Sequence, residues 1–348
     1  MSDRAVASTG QGDVLYTRIA LGSAIVTFLM IVDGAVTRVS ESGMGCGTSW
    51  PLCNGLLLPD FARIDTIIEF GHRIFATLVG LFILALLIRA FQRHRHDPRR
   101  FNPAAIAMGL YVLQVILGGL TVGLSNAWLT VAPHLANSMF LLGTLLVAWV
   151  NARYEAQTTL SPALSPTPAE GKGVQSKYRT LSPSGGISLT GALLATLLAL
   201  CAALIGAAVA GNFATKACVG WPLCTGEVWP ADQGGLQVLN MTHRLLAGAL
   251  GLVLIYMLIR SRKASPLVRR SVYLALGAYI IQAAIGALVA LVDPAGWLVV
   301  VESLHVAFAA ATWSMMVLVS ATIWLQQSTR VPSDLKAHEA APSAIISN

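Results

Sequence analysis

The chain has 348 residues, of which 55% are hydrophobic and only 11% charged, less than half the roughly 25% of a soluble domain. With a mean hydropathy of +0.68, this composition excludes a soluble enzyme, a disordered chain and a disulfide-rich mini-protein. The net charge of +7 does not indicate a nucleic-acid partner, because the basic residues fall in short clusters between apolar runs, as topology signals do.

Eight apolar runs follow in chain order: 19–36, 67–88, 104–123, 129–150, 187–209, 236–259, 268–292 and 297–325. Each suits a bilayer crossing of about 20 residues. The pattern predicts an all-α polytopic membrane protein whose eight transmembrane helices form two pseudo-symmetric four-helix bundles. The N-terminal half spans 1–152 and the C-terminal half 187–326. A Ser-, Pro-, Thr- and Gly-rich stretch at 153–186 reads as a flexible cytoplasmic linker, and 327–348 as a cytoplasmic tail. The first run is long, follows two acidic residues and lacks a small-x-small cleavage site, so no cleavable signal peptide is expected.

Most Lys and Arg fall in the tails, the linker and the loops at 89–100 and 260–270. The opposite side holds only Arg38, Arg63, Arg73, Lys216 and Arg244. The positive-inside rule then puts both termini in the cytoplasm. The loops with Cys46, Cys53, Cys218 and Cys224 lie on the outer side of the plasma membrane.

The halves repeat in register. Trp50-Pro51-Leu52-Cys53 returns as Trp221-Pro222-Leu223-Cys224, and His72-Arg73 as His243-Arg244, at an offset of 171. His134 returns as His305 at the same offset, whereas Gln114 and Gly118 return as Gln282 and Gly286 at 168. Four helices per half make the repeat a parallel one, about an axis along the membrane normal.

Histidines 72, 134, 243 and 305 lie inside apolar segments near the outer ends of the even-numbered helices. Ionisable groups at that depth are costly and mark function. His94, His96 and His338 read as solvated. One histidine on each of two helices can place two imidazoles face to face, as a six-coordinate haem iron requires. Zinc would need further ligands. Glu69-x-x-His72 and Glu302-x-x-His305 have di-iron spacing, but that site needs Glu from two more helices, which the apolar runs lack. Haem is favoured. Arg73 and Arg244 either grip a haem propionate bidentately or snorkel to the interface.

The two outer cysteine pairs, Cys46–Cys53 and Cys218–Cys224, are expected to be disulfides on an oxidising side. They serve as loop staples or in a redox or cofactor-handover role. Cys201, with Met30 at the matching position, reads as inert core. Glu69 has Asn240 as its counterpart, which suggests chemistry at the first site and electron transfer at the second. The plainer alternative is that Glu69 pairs with Arg73 or another cation. Asp33 and Asp293 read as ordinary interfacial residues.

These residues resemble the haem A synthases. Gly34-Ala35-Val36-Thr37-Arg38 through Ser42-Gly43-Met44-Gly45-Cys46 to Cys53 looks like the first outer loop of that family. Glu69-Phe70-Gly71-His72-Arg73, Gln114 through Val122, Pro133-His134-Leu135, Thr242-His243-Arg244 and Glu302-Ser303-Leu304-His305 are similar to its helix motifs. The resemblance spans the chain except the linker and tails. It implies oxidation of the C8 methyl of haem O to a formyl group, giving haem A for terminal oxidases. It also implies a haem b on His243 and His305, and substrate haem O on His72 and His134 with Glu69 close by as the catalytic residue. Haem O synthase and oxidase assembly factors become candidate partners, with no nucleic acid. The electron acceptor stays open. Two other readings remain: a di-haem b-type electron-transfer cytochrome, and a membrane thiol-disulfide oxidoreductase.

Overall fold

The computed structural model describes residues 13–160, 184–292 and 297–328. Among the described residues, eight helices are long and apolar enough to cross a membrane. They are α1 (Val14–Val39), α2 (Ile64–His94), α3 (Pro98–Gly123), α4 (Trp128–Leu160), α5 (Leu189–Gly211), α6 (Gly235–Arg260), α7 (Pro266–Leu291) and α8 (Leu298–Ser328). Among the described residues no strand forms, only isolated bridges.

Local chemistry sets the helix starts. Asp13 and Ser188 each accept a first-turn amide, from Tyr16 and Gly191, both at 3.0 Å, and Pro98 and Pro266 open α3 and α7. Pro103 inside α3 cannot donate to the Arg99 carbonyl one turn back. Asn151 of α4 donates to that oxygen instead, at 2.6 Å, so the proline's missing bond is made good by a neighbouring helix.

In the first half α1 packs on α2 and α4, and α3 on the same two; in the second, α5 and α7 each pack on α6 and α8. The halves meet where α8 lies against α1 and α4, and where α4 touches α5. Hence over half of the apolar windows of α4 and α8 is buried (56% and 61%), against 11% for α7, which lies at the periphery of the bundle. Between helices in lipid, close approach at small residues holds a bundle together more than apolar burial does. Gly80 and Gly251 leave no room for a Cβ beside Tyr111 and Tyr279. Those two hydroxyls donate to the carbonyls of Ala76 and Ala247, at 3.2 and 2.8 Å. The same contact thus occurs once per half.

Several sequence expectations change. Helix α4 continues to Leu160, past the expected linker start, because nothing in the sequence stops it before Pro162. Residues 161–183 of the linker, the residues after Ser328, His338 among them, and Asp293 lie outside the described residues. His94 is not solvated: its Nε2 lies 2.8 Å from Asp13 and its Nδ1 3.0 Å from Arg100. Burial works against the Asp13 charge, but hydrogen bonds from Arg89, the Tyr16 amide and His94 outweigh it. They hold the carboxyl well below the usual carboxylate range.

Candidate haem sites

All four repeated histidines lie within about two turns of the start of α2, α4, α6 or α8, at the end of the bundle that carries the disulfide loops. The odd-numbered helix before each one supplies a glycine against its ring. A Cβ on Gly34, Gly118, Gly206 or Gly286 would stand 3.3, 3.4, 2.8 or 3.1 Å from the Cε1 of His72, His134, His243 or His305 respectively. Gly34 and Gly206 set the register of α1 against α5 at 172, which corrects one expectation: Cys201 matches Leu29, not Met30. Cys201 is a free thiol, half-buried.

In the second half, Nδ1 of His243 donates to the Ala202 carbonyl at 3.0 Å, and Nδ1 of His305 to the Gln282 carbonyl at 3.1 Å. Both bonds leave Nε2 with its lone pair. The two ring centroids are 6.3 Å apart. With metal–imidazole bonds of about 2 Å, two imidazoles on opposite sides of one iron need roughly this separation. The pair therefore fits a haem iron. Among the described residues no group of three or more His, Cys, Asp or Glu gathers as a metal site, so zinc and di-iron ligand sets are not assembled.

The first half differs. Nδ1 of His72 lies 2.7 Å from Oδ2 of Asp33 on α1, a residue whose sequence reading was merely interfacial. The Gln114 amide lies 3.0 Å from Nε2 of His134, and Gln114 Oε1 accepts from Asn137 at 2.6 Å. His134 Nδ1 is buried with no partner among the described residues. Asp33 and Asn137 were the residues that sequence reasoning missed. The signal was present: each is a polar group inside an apolar run whose counterpart, Ile205 or Phe308, is apolar.

Both cysteine pairs form disulfides, Cys46–Cys53 and Cys218–Cys224. The arginines beside the histidines fasten these loops. Nη1 of Arg73 lies 3.0, 3.3 and 2.6 Å from the carbonyls of Ser49, Pro51 and Leu52. Nη1 of Arg244 lies 2.8, 3.4 and 3.0 Å from those of Gly220, Pro222 and Leu223. The guanidinium groups offered by sequence as propionate contacts are thus engaged with loop backbone. Glu69, 3% exposed, pairs with Arg73 and accepts the Cys46 amide at 2.8 Å. The pairing with a cation, which the sequence left as the alternative, is present. Asn240 fastens the second loop in the opposite sense, donating to the Ala214 and Thr215 carbonyls at 2.7 and 3.2 Å. The Trp50 indole rests against Gly119, next in sequence to the glycine that touches His134.

Comparison with known proteins places the chain in a family. The family model COX15-CtaA, cytochrome oxidase assembly protein, matches residues 17–64 and 58–317. A heme A synthase from Exiguobacterium sp. is 31% identical over 284 residues, 80% of this chain and 85% of the relative. One from Symbiobacterium thermophilum is 31% identical over 309 residues, 86% of this chain and 92% of the relative. The heme A synthase of Exiguobacterium sibiricum is 32% identical over 244 residues, 67% and 71% of the two chains. By this match and these identities, the chain belongs to the haem A synthase family, the COX15-CtaA cytochrome oxidase assembly proteins.

Proposed function

We propose that the chain is a haem A synthase, oxidising the C8 methyl group of haem O to a formyl group to give haem A for terminal oxidases. The observation that carries this reading is the His243–His305 pair, 6.3 Å between ring centroids with each Nδ1 tied to a carbonyl, in a chain of this family. His243 and His305 would hold a resident haem b. That group supplies one-electron transfer when bound. His72 and His134 would hold haem O as substrate.

The chain's own residues then do three things. The glycines orient all four rings, and Nδ1 bonds hold those of His72, His243 and His305. The disulfide loop, fastened by Arg73 and Glu69, closes the outer end of the first site and excludes water. Glu69 lies three residues before His72, on the same helix face, and its carboxylate would stabilise the positive charge that builds as a methyl group is oxidised. The basic residues support both termini lying in the cytoplasm, with the loops outside the plasma membrane. A haem O synthase would supply the substrate, and oxidase assembly factors would take the product.

Pigment analysis of a host that makes haem O but not haem A tests the reading. Expression of the chain should bring haem A into the membranes. Haem O alone, with a b-type spectrum from the purified chain, would point instead to an electron-transfer cytochrome.

A further inference from the structure

Asp33 is the only charged side chain hydrogen-bonded to any of the four repeated histidines among the described residues. Its Oδ2 lies 2.7 Å from Nδ1 of His72, and the two side chains are 32% and 23% exposed. His243 and His305 donate to backbone carbonyls instead, and His134 is met by the Gln114 amide. The register set by Gly34 and Gly206 makes Ile205 the counterpart of Asp33, and isoleucine accepts no hydrogen bond. An ionised carboxylate only accepts, so this contact fixes the proton on Nδ1 and leaves the lone pair on Nε2. A carboxylate behind a ligating imidazole also pins the ring and raises the basicity of the other nitrogen.

The opposite histidine has the reverse arrangement. The lone pair at Nε2 of His134 already faces the Gln114 amide, which Asn137 holds in place. Such a ligand must give up a hydrogen bond before it can bind iron, whereas His72 gives up none.

We infer that Asp33 is the positioning residue of the first-half site: it makes His72 the firm, electron-rich ligand to the substrate haem, and leaves His134 as the weaker and releasable one. The second half, with two carbonyl-backed histidines, has a matched pair. The inference rests on the substrate-haem reading of the first half and specifies which of its two histidines would let go of the haem.

The experiment uses the full chain, purified with its second-half haem, titrated with ferric protohaem. Electron paramagnetic resonance and redox titration follow the added haem, while the second-half haem reports that each variant is folded. Asp33→Asn should weaken uptake of the added haem by about 10- to 100-fold and raise its midpoint potential. The second-half haem should keep its signal and potential. Asp33→Ile, which copies the second half's own residue, should act in the same direction. His72→Ala should lose the added haem, whereas His134→Ala should keep it in a high-spin form. Parental affinity and potential in both Asp33 variants would overturn the role of Asp33 while leaving the substrate site standing. Equal losses in the two histidine variants would overturn the inequality. A parent chain that takes up no second haem would overturn the substrate-site reading, and this inference with it.

Discussion

Gly206 and His243 are in steric register: a Cβ on the glycine would stand 2.8 Å from Cε1 and 3.2 Å from Nδ1 of the imidazole. The contact fixes where the ring lies, because the same helix supplies the Ala202 carbonyl that holds Nδ1. Gly206→Ala should therefore push the ring off that carbonyl and away from His305. The expected outcome is loss of most of the bound haem, with a changed low-spin spectrum in what remains. Gly118→Ala, with 3.4 Å available beside His134, should leave the second-half spectrum unchanged. Haem-to-protein ratios of the purified variants decide the matter, and full occupancy in Gly206→Ala would show that the ring has room to retreat.

The Arg244 clasp gives a second expectation. One guanidinium nitrogen serves three carbonyls of the loop around the Cys218–Cys224 disulfide. Hydrogen bonds from a charged donor contribute about 1.5–3 kcal/mol each at most, and a shared donor less in total than their sum. Arg244→Met should leave the disulfide formed but let the loop open, so limited proteolysis should cut near Val219–Leu223 several-fold faster than in the parent. A cutting rate equal to the parent's would mean that the disulfide alone holds the loop.

A third expectation concerns the far end of the first half, where Asp13 accepts from Arg89 at 2.9 and 3.1 Å and meets His94 at 2.8 Å. The folded-state carboxyl titrates below the ordinary aspartate value, so unfolding at low pH takes up a proton. The cluster's stabilisation is present above the unfolded value of about 3.9 and is lost as pH falls below it. Asp13→Asn should cost about 2 kcal/mol at neutral pH and should flatten the stability curve below pH ~4. Thermal unfolding in detergent across that range is the measurement, and parallel curves for variant and parent would exclude the cluster as the cause.

Much of the fold was legible because composition and repetition carry it. Apolar runs of bilayer length leave little choice but helices, and the offset between Trp50 and Trp221 or His72 and His243 announces two like halves. What stayed hidden were contacts between helices. Asp33 sits in α1 and His72 in α2, 39 residues apart, and no spacing rule links an acid on one helix to a ring on the next. The extra residue that the first half carries between Cys46 and Cys53 also obscured it. At an offset of 171 Asp33 faces Leu204, and only Gly206 against His243 shows that the proper counterpart is Ile205. The Arg73 and Arg244 clasps were hidden for another reason: their acceptors are backbone carbonyls, which carry no signature in the sequence.

The last expectation concerns Glu69, whose two oxygens do different work. One accepts the Cys46 amide and the other pairs with Arg73, so the carboxylate is a fastener of the loop as well as an acid one helix turn before His72. Glu69→Gln keeps an oxygen for the amide and removes the charge. It should fold and retain the second-half haem. Haem O or a partly oxidised intermediate should accumulate, with haem A formation slowed about 100-fold or more if the group also takes a proton. Arg73→Met supplies the control, since it loosens the same loop while leaving the carboxylate in place. It should slow haem A formation by much less. Asn240→Asp, which the repeat alone would suggest as a harmless exchange, sets an acceptor against the Ala214 and Thr215 carbonyls and should instead loosen the second loop. Haem extracts from the three variants, compared at equal amounts of folded protein, separate the roles. Equal haem A yields from Glu69→Gln and Arg73→Met would reduce Glu69 to a loop fastener, because the variants share a loosened loop and differ in the carboxylate.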